Sequence, residues 1–250
     1  MARNLPCVSY MCLIVLAHRA NARFPFILAA NRDEDYERPS HAADFWPDAP
    51  DVLGGRDAVH GGSWLAMAKS GRFAAVTNLR GAERRTRSRG ALVRDFVTAE
   101  TDARSFAESI VADAAEYSGF HLLAGQAGSE ILHITPDSWI PLPAGIHAIS
   151  NAPLGEQWPK TSIAAEAMEA VLRLEDVDAM VDVLMRFLTT PRNTGHVESE
   201  IFIAGERYGT RASTVIVGTE REIVFTEWGF GRGGAFAREA PLTLTLSLPR

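Results

Sequence analysis

The sequence predicts an α+β fold in which antiparallel sheets carry helices on their outer faces. Three observations lead there. Runs of strand character and runs of helical periodicity are segregated, in the order strands, helices, strands, helices, strands, where a parallel sheet would alternate them one for one. Residues 64–68 and 73–77 flank Lys69-Ser70-Gly71-Arg72 and form the clearest hairpin in the chain, ending on Asn78. Residues 160–172 and 177–188 are amphipathic, with Met168, Val171, Leu172 and Met180, Val181, Leu184, Leu188 as apolar stripes.

Taken in order, residues 12–18 read as a buried strand, 19–25 as a turn with Asn21 and Pro25, and 26–30 as a second strand. This hairpin leads into Asn31-Arg32-Asp33-Glu34-Asp35. Residues 38–62 hold Pro39, Pro47, Pro50, Gly54, Gly55, Gly61 and Gly62 and are expected to form a long loop. Helices are expected over 91–99 and 103–117. The second carries Phe106, Ile110, Val111 and Ala114 on one face, with Thr101 or Asp102 as its cap. Strands are expected over 120–124, 130–135 and 146–150, and again over 200–204, 212–217, 222–227 and 242–248.

Composition bounds the function. A chain of 250 residues with 46% hydrophobic and 22% charged content is ordinary for a globular protein, and we expect residues 11–250 to form one domain. The net charge of −6 and pI near 5.7 argue against a nucleic-acid-binding protein. No apolar run reaches membrane-spanning length and residues 1–10 lack a secretory core, so the expected location is cytoplasmic. Two cysteines, Cys7 and Cys12, without paired Cys or His spacing, indicate neither a disulfide framework nor a metal site, and no cofactor is expected. Oligomeric state is not legible.

The chemistry centres on Met11-Cys12. If Met11 is a start site and is removed, Cys12 carries a free α-amine, and residues 1–10 form an extension outside the mature fold. Such an amine, with an ordinary pKa of about 7.7–8.0, is a base within reach of its own thiol. The residues alone also allow Cys12 to be a plain member of a buried strand.

Met11-Cys12-Leu13-Ile14, Leu28-Ala29-Ala30-Asn31-Arg32-Asp33-Glu34, Gly61-Gly62-Ser63-Trp64-Leu65, Ala75-Val76-Thr77-Asn78, Ser150-Asn151-Ala152 and Gly209-Thr210-Arg211 occur in this order. The set resembles the NRDE family, the transport and Golgi organization 2 homologues. That family is in turn similar to N-terminal-nucleophile cysteine hydrolases such as conjugated bile acid hydrolases and penicillin V acylases. The resemblance implies a four-layer αββα sandwich of two antiparallel sheets. It implies cleavage of an amide (C–N) or related acyl bond through an acyl-Cys12 intermediate, with Arg32 beside the thiolate and an Asp holding the α-amine. Asn78 is then an oxyanion donor, Asn151 a second polar group near the amine, and Arg211 an orienting arginine.

In the hydrolases the Arg and Asp are two residues apart, whereas here Arg32 precedes Asp33 directly and Asp35 has the hydrolase spacing. In a regular strand Arg32 and Asp33 point to opposite faces, so either the strand bends or one of them is structural. Asn31 shares the face of Asp33 and is a candidate for substrate binding. Arg80, Arg84, Arg85, Arg87 and Arg89 come after Asn78; they form either a solvated loop or a receiver for an anionic small molecule, with Arg84, Arg85 and Arg87 as candidates. The alternative function is a non-catalytic carrier for haem or an acyl-CoA or lipid-type metabolite, implied by links of the resembled family, in which Cys12 or His18 would ligate haem.

Overall fold

The computed structural model describes residues 12–83, 85–153 and 156–248. Among these, six strands form one antiparallel sheet: β1 (Leu13–His18), β2 (Phe26–Asp35), β10 (Gly145–Ile149), β11 (Tyr208–Gly218), β12 (Glu222–Gly229) and β13 (Leu242–Ser247), in the order β10-β1-β2-β11-β12-β13. Seven form the second sheet in sequence order: β3 (Ser40–Trp46), β4 (Ala49–Asp57), β5 (Leu65–Ala68), β6 (Arg72–Asn78), β7 (Phe120–Gln126), β8 (Ile131–Ile134) and β9 (Trp139–Pro141). The helices are α1 (Arg89–Thr98), α2 (Ala103–Ala112), α3 (Pro159–Val171) and α4 (Val177–Thr189).

Three apolar cores stack between these parts and define the four-layer αββα sandwich. Leu13, Val15 and Ala17 of β1 pack with Met168, Met180 and Leu184 of α3 and α4. Ile14 and Leu16 pack with Leu65, Phe73 and Leu123 of the second sheet. Val76, Leu122 and Ala124 pack with Leu92, Phe96 and Phe106 of α1 and α2. Inner strands are therefore buried on both faces, which is why residues 13–17 and 26–30 read as unbroken apolar runs instead of alternating ones.

The segment 38–62 is not a loop: it contains β3 and β4. Of its glycines, Gly61 turns the chain after β4 with φ +66°, whereas Gly54 and Gly55 serve clearance. A Cβ on Gly54 would stand 2.6 Å from the Leu65 carbonyl oxygen, and one on Gly55 would overlap the Trp64 ring. Residues 200–204 form no strand; the carbonyls of Ile201 and Ile203 instead accept hydrogen bonds from Asn31 and Thr210. Helix α2 ends at Ala112, followed by a separate turn, Ala114–Glu116, and Asp102 is its cap, accepting from the amides of Arg104 and Ser105. Strand β9 has no counterpart in the sequence pattern. Cys12 is a free thiol, whereas Cys7 and the extension 1–10 lie outside the described residues.

Candidate functional site

Cys12 sits just ahead of β1, whose first pair with β2 is Leu13 opposite Asn31. The antiparallel register therefore carries the chain, going back from Leu13, toward Arg32 and then Asp33. Strand β2 runs unbroken to Asp35, and the irregularity falls on its other neighbour, where Arg211 is the extra residue of a bulge between Thr210 opposite Asp33 and Ala212 opposite Arg32.

Arg32 and Asp33 do point to opposite faces. Arg32, 6% exposed, lies over the Trp64 ring at 4.4 Å on the side of the second sheet, with Nη2 3.5 Å from Glu34 and Nη1 buried without a partner. Asp33, 2% exposed, faces the helical layer: Oδ1 accepts from Thr210 Oγ1 at 2.7 Å, and Oδ2 is buried without a partner. Cys12 lies between them, its thiol donating to the Asp33 carbonyl oxygen at 3.9 Å. Asp35 turns outward to Arg207 at 3.0 Å, so Asp33 is the carboxylate at the site.

Burial dominates the electrostatics. Although Cys12 as a residue is only partly buried, loss of solvent around the thiol, together with the Asp33 charge, pushes its pKa up to about 11. Burial likewise lifts Asp33 to about 6, against the lowering effects of Lys160, Thr210 and Arg32. Burial lowers the pKa of Arg32 and of Lys160.

A cavity of about 350 Å³ opens from Cys12, Arg32, Asp33 and Asn78. Arg85, Arg87, Arg89 and His60 line it together with Arg38, which is paired with Glu34 at 3.8 Å and with Asp57 at 2.7 Å. The rim is tied down by Arg85 N donating to Ser118 Oγ at 2.8 Å and by Ser63 N donating to the Gly90 carbonyl at 3.0 Å. Arg80 turns away to Glu198 at 2.8 Å, and Arg84 lies outside the described residues.

The two asparagines form one unit. Asn151, fully buried, donates Nδ2 to the Asn78 backbone carbonyl at 2.9 Å and leaves Oδ1 buried without a partner. His121 Nε2 holds the next carbonyl, Ala152, at 3.1 Å.

Three expected site residues are placed differently. Asn31 does not offer its amide to the cavity: Nδ2 donates to the Leu188 and Ile201 carbonyls, both at 2.8 Å, and Oδ1 accepts from Ser213 at 2.6 Å, so it clamps α4 to the sheet. Arg211 is not on the cavity wall. Its Nη1 donates to the carbonyls of Asp35, Tyr36 and Arg38 at 3.1–3.2 Å and orients the β2–β3 turn that carries Arg38. His18 is at the far end of β1, about 20 Å from Cys12 at the rise of a strand, so the two cannot ligate one haem iron.

Sequence patterning does not single out Lys160. It is fully buried in the first turn of α3, and its charge acts on Asp33, Cys12 and Glu198. The available signal is its register, because Lys160, Ala164, Met168 and Val171 form one helical stripe in which only the lysine is charged.

Residues 11–231 match the sequence profile of Transport and Golgi organisation 2. The chain belongs to that family. It is 32% identical to the Transport and Golgi organization protein 2 homolog of Bos taurus over 237 residues, covering 82% of this chain and 86% of the relative. The human homolog is 31% identical over 240 residues with the same coverage. Among solved structures the chain is similar to a Caenorhabditis elegans N-acylethanolamine-hydrolyzing acid amidase ortholog (TM-score 0.50, 13% identity, 93% of this chain and 100% of that one). It is also similar to a mutant conjugated bile acid hydrolase from Clostridium perfringens (TM-score 0.53, 8% identity, 96% and 97%). The family member thus has an N-terminal-nucleophile hydrolase-like fold. None of its described helices is long and apolar enough to cross a membrane, and no metal-holding cluster of His, Cys, Asp and Glu occurs among the described residues.

Proposed function

We propose that the chain is an N-terminal cysteine hydrolase that cleaves an amide or related acyl bond through an acyl-Cys12 intermediate, once residues 1–11 have been removed. One observation carries the reading: Oδ2 of the buried Asp33 accepts from no group among the described residues, although an unmatched buried carboxylate oxygen is costly. It belongs to the very residue toward which the register leads the chain beyond Cys12. An α-ammonium on Cys12 is a donor of the kind this oxygen lacks.

In the proposed sequence the neutral α-amine takes the Sγ proton while sulfur attacks the acyl carbon. The Asn78 side-chain amide, at the cavity wall, donates to the oxyanion, and the Arg32 cation lowers the energy of the thiolate. Collapse expels the leaving group, which takes the proton back from the ammonium. Water then attacks the thioester, giving up its proton through the same amine, and a carboxylic acid leaves as the thiol is restored. Arg85 and Arg87, with Arg84 just ahead of them in the chain, would receive an anionic part of the substrate at the rim. A reducing, cytoplasmic setting would keep the thiol free.

The test compares a chain produced to begin at Cys12 with the chain beginning at Met1, each verified by intact mass and treated with iodoacetamide. The shorter chain should label selectively at Cys12, at least tenfold faster, with no labelling in Cys12→Ala. Equal rates in the two chains would falsify the mechanism and leave the cavity as a carrier site.

A further inference from the structure

We infer that Lys160 is a positioning residue for this site: its buried ammonium shares the negative charge of Asp33 and so keeps the α-amine of Cys12 neutral, as a base must be. The inference rests on the proposed N-terminal-nucleophile reading and assigns a residue that lies outside the Cys, Arg, Asp and Asn set of the proposed mechanism.

Lys160 stands where two separate rules disfavour it. The first turn of a helix presents the positive end of the helix dipole, which repels a cation. A fully buried lysine also loses its hydration, and none of its surface is exposed here. Helix propensity accounts for Pro159 opening α3 but not for a lysine at the next position. Lys160, Ala164, Met168 and Val171 form the buried stripe of α3, the Lys160 ammonium lies 5.5 Å from the Trp158 ring centroid, and the charges that act on it most are those of Asp33 and Cys12.

The other charges facing this position are few. Arg32, next to Asp33 on β2, faces the second sheet instead, and Glu198 lies on the short turn Val197–Ser199 but is itself paired with Arg80 at 2.8 Å. The helix-facing positions of β1 and β10 are apolar, namely Leu13, Val15, Ala17, Ile146 and Ala148. Helix α4 likewise buries Met180, Leu184, Met185 and Leu188. Asp33 is thus the anion within this neighbourhood that is not already paired through a salt bridge among the described residues.

The consequence for the chemistry comes from charge alone. A carboxylate beside the α-amine, acting by itself, favours the ammonium and would hold the amine protonated through neutral pH, unable to accept the thiol proton. A second cation on the same carboxylate opposes that, because one negative charge then faces two groups competing to be positive. The same cation also favours the Cys12 thiolate.

The experiment measures the rate of Cys12 labelling by iodoacetamide against pH, in chains beginning at Cys12, for wild type, Lys160→Met, Lys160→Gln and Lys160→Arg. Without the cation, the acidic limb should move up by one pH unit or more, with labelling at pH 7 about tenfold slower, and Lys160→Arg should restore the wild-type limb. A limb that stays within 0.3 pH unit in whichever neutral variant folds, whatever its absolute rate, overturns the inference and leaves Lys160 a packing residue. If wild type itself fails to label selectively, the nucleophile reading fails and the inference falls with it. If wild type labels and only the variants' profiles refuse to move, the reading stands alone.

Discussion

Thr210 donates its hydroxyl to Oδ1 of Asp33 at 2.7 Å, and Oδ2 of the same buried carboxylate has no donor among the described residues. Burial raises this carboxyl to about 6, above its unfolded value near 3.9, so the folded state binds the proton more tightly. Its contribution to stability is therefore present at pH 4 and below, is lost as pH climbs to about 6, and stays lost above that, a cost on the order of 2–3 kcal/mol at neutral pH. In the chain beginning at Met1, Asp33→Asn removes this cost but also the negative charge that buried Lys160 faces, so the two changes offset to within about 1 kcal/mol at pH 7.5. In the chain beginning at Cys12 the same change also removes the acceptor of the α-amine and should destabilise by about 2 kcal/mol more. Urea unfolding of the four proteins checks this, and equal effects in both backgrounds would refute the pairing.

Arg85 and Arg87 are about half exposed, 51% and 44%, and pair with Glu83 at 3.0 Å and Asp95 at 3.9 Å, Arg87 also lying over the Tyr117 ring at 4.7 Å. Each is therefore worth about 0.5–1 kcal/mol to an anion at the rim, and that worth is screened by salt. The ratio of Cys12 labelling by iodoacetate to labelling by iodoacetamide isolates the charge, since the two electrophiles differ in little else. Arg85→Gln/Arg87→Gln should lower that ratio about 5–20-fold at low salt, with most of the difference gone at 1 M salt. A ratio independent of both changes would reduce the arginine run to a solvated loop.

His121 offers Nε2 to the Ala152 carbonyl and Nδ1 to His133 Nε2 at 3.0 Å. A carbonyl cannot donate, so Nε2 of His121 carries the hydrogen, and in the neutral ring Nδ1 accepts from His133. Burial, reinforced by His121 and His147, lowers His133 to about 4, and burial also lowers His121. The unfolded chain, with histidines near 6.5, then binds more protons than the folded one between pH 6.5 and 4, so stability falls across that window as pH falls. His133 alone should cost about 1–2 kcal/mol between pH 7.5 and pH 5. Guanidinium unfolding at the two pH values should show this loss shrinking in His133→Gln. Because the pair holds Ala152, next to Asn151, wild-type labelling should weaken over the same window.

How much of the fold and site is legible in the sequence depends on how each residue's neighbours look in one dimension. Cys12, Arg32, Asp33 and Asn78 are named by the family resemblance; strand patterning locates only the apolar runs they sit within or beside, and the register then assembles them. Antiparallel sheets with helices on their outer faces can be read from the segregation of strands and helices, whereas the four-layer sandwich is what the resemblance implies. Lys160 is invisible because Asp33 and Cys12 are more than a hundred residues away and a lysine in a helix ordinarily faces water. Asn31 is misassigned for a related reason: strand alternation gives the face it points to, but not that Leu188, Ile201 and Ser213 already use its hydrogen bonds. Residues 38–62 mislead because Gly and Pro signal turns only when local conformation is what demands them. At Gly54 and Gly55 the demand comes from another strand.

The demand at Gly55 can be measured. This glycine lies under Trp64, whose ring supports the Arg32 guanidinium at 4.4 Å, so a methyl group at 55 has no room unless the indole moves. Gly55→Ala should destabilise by about 1–3 kcal/mol, the usual range for overpacking. It should also slow Cys12 labelling, by shifting the cation that favours the thiolate. Backbone strain is not the cause, because Gly55 is not among the glycines with positive φ. In a Trp64→Ala background the same glycine substitution should then cost almost nothing, a coupling of more than about 1 kcal/mol in a double-mutant cycle. Additive costs would mean that Gly55 answers to some other neighbour and that Trp64 does not transmit its position to Arg32.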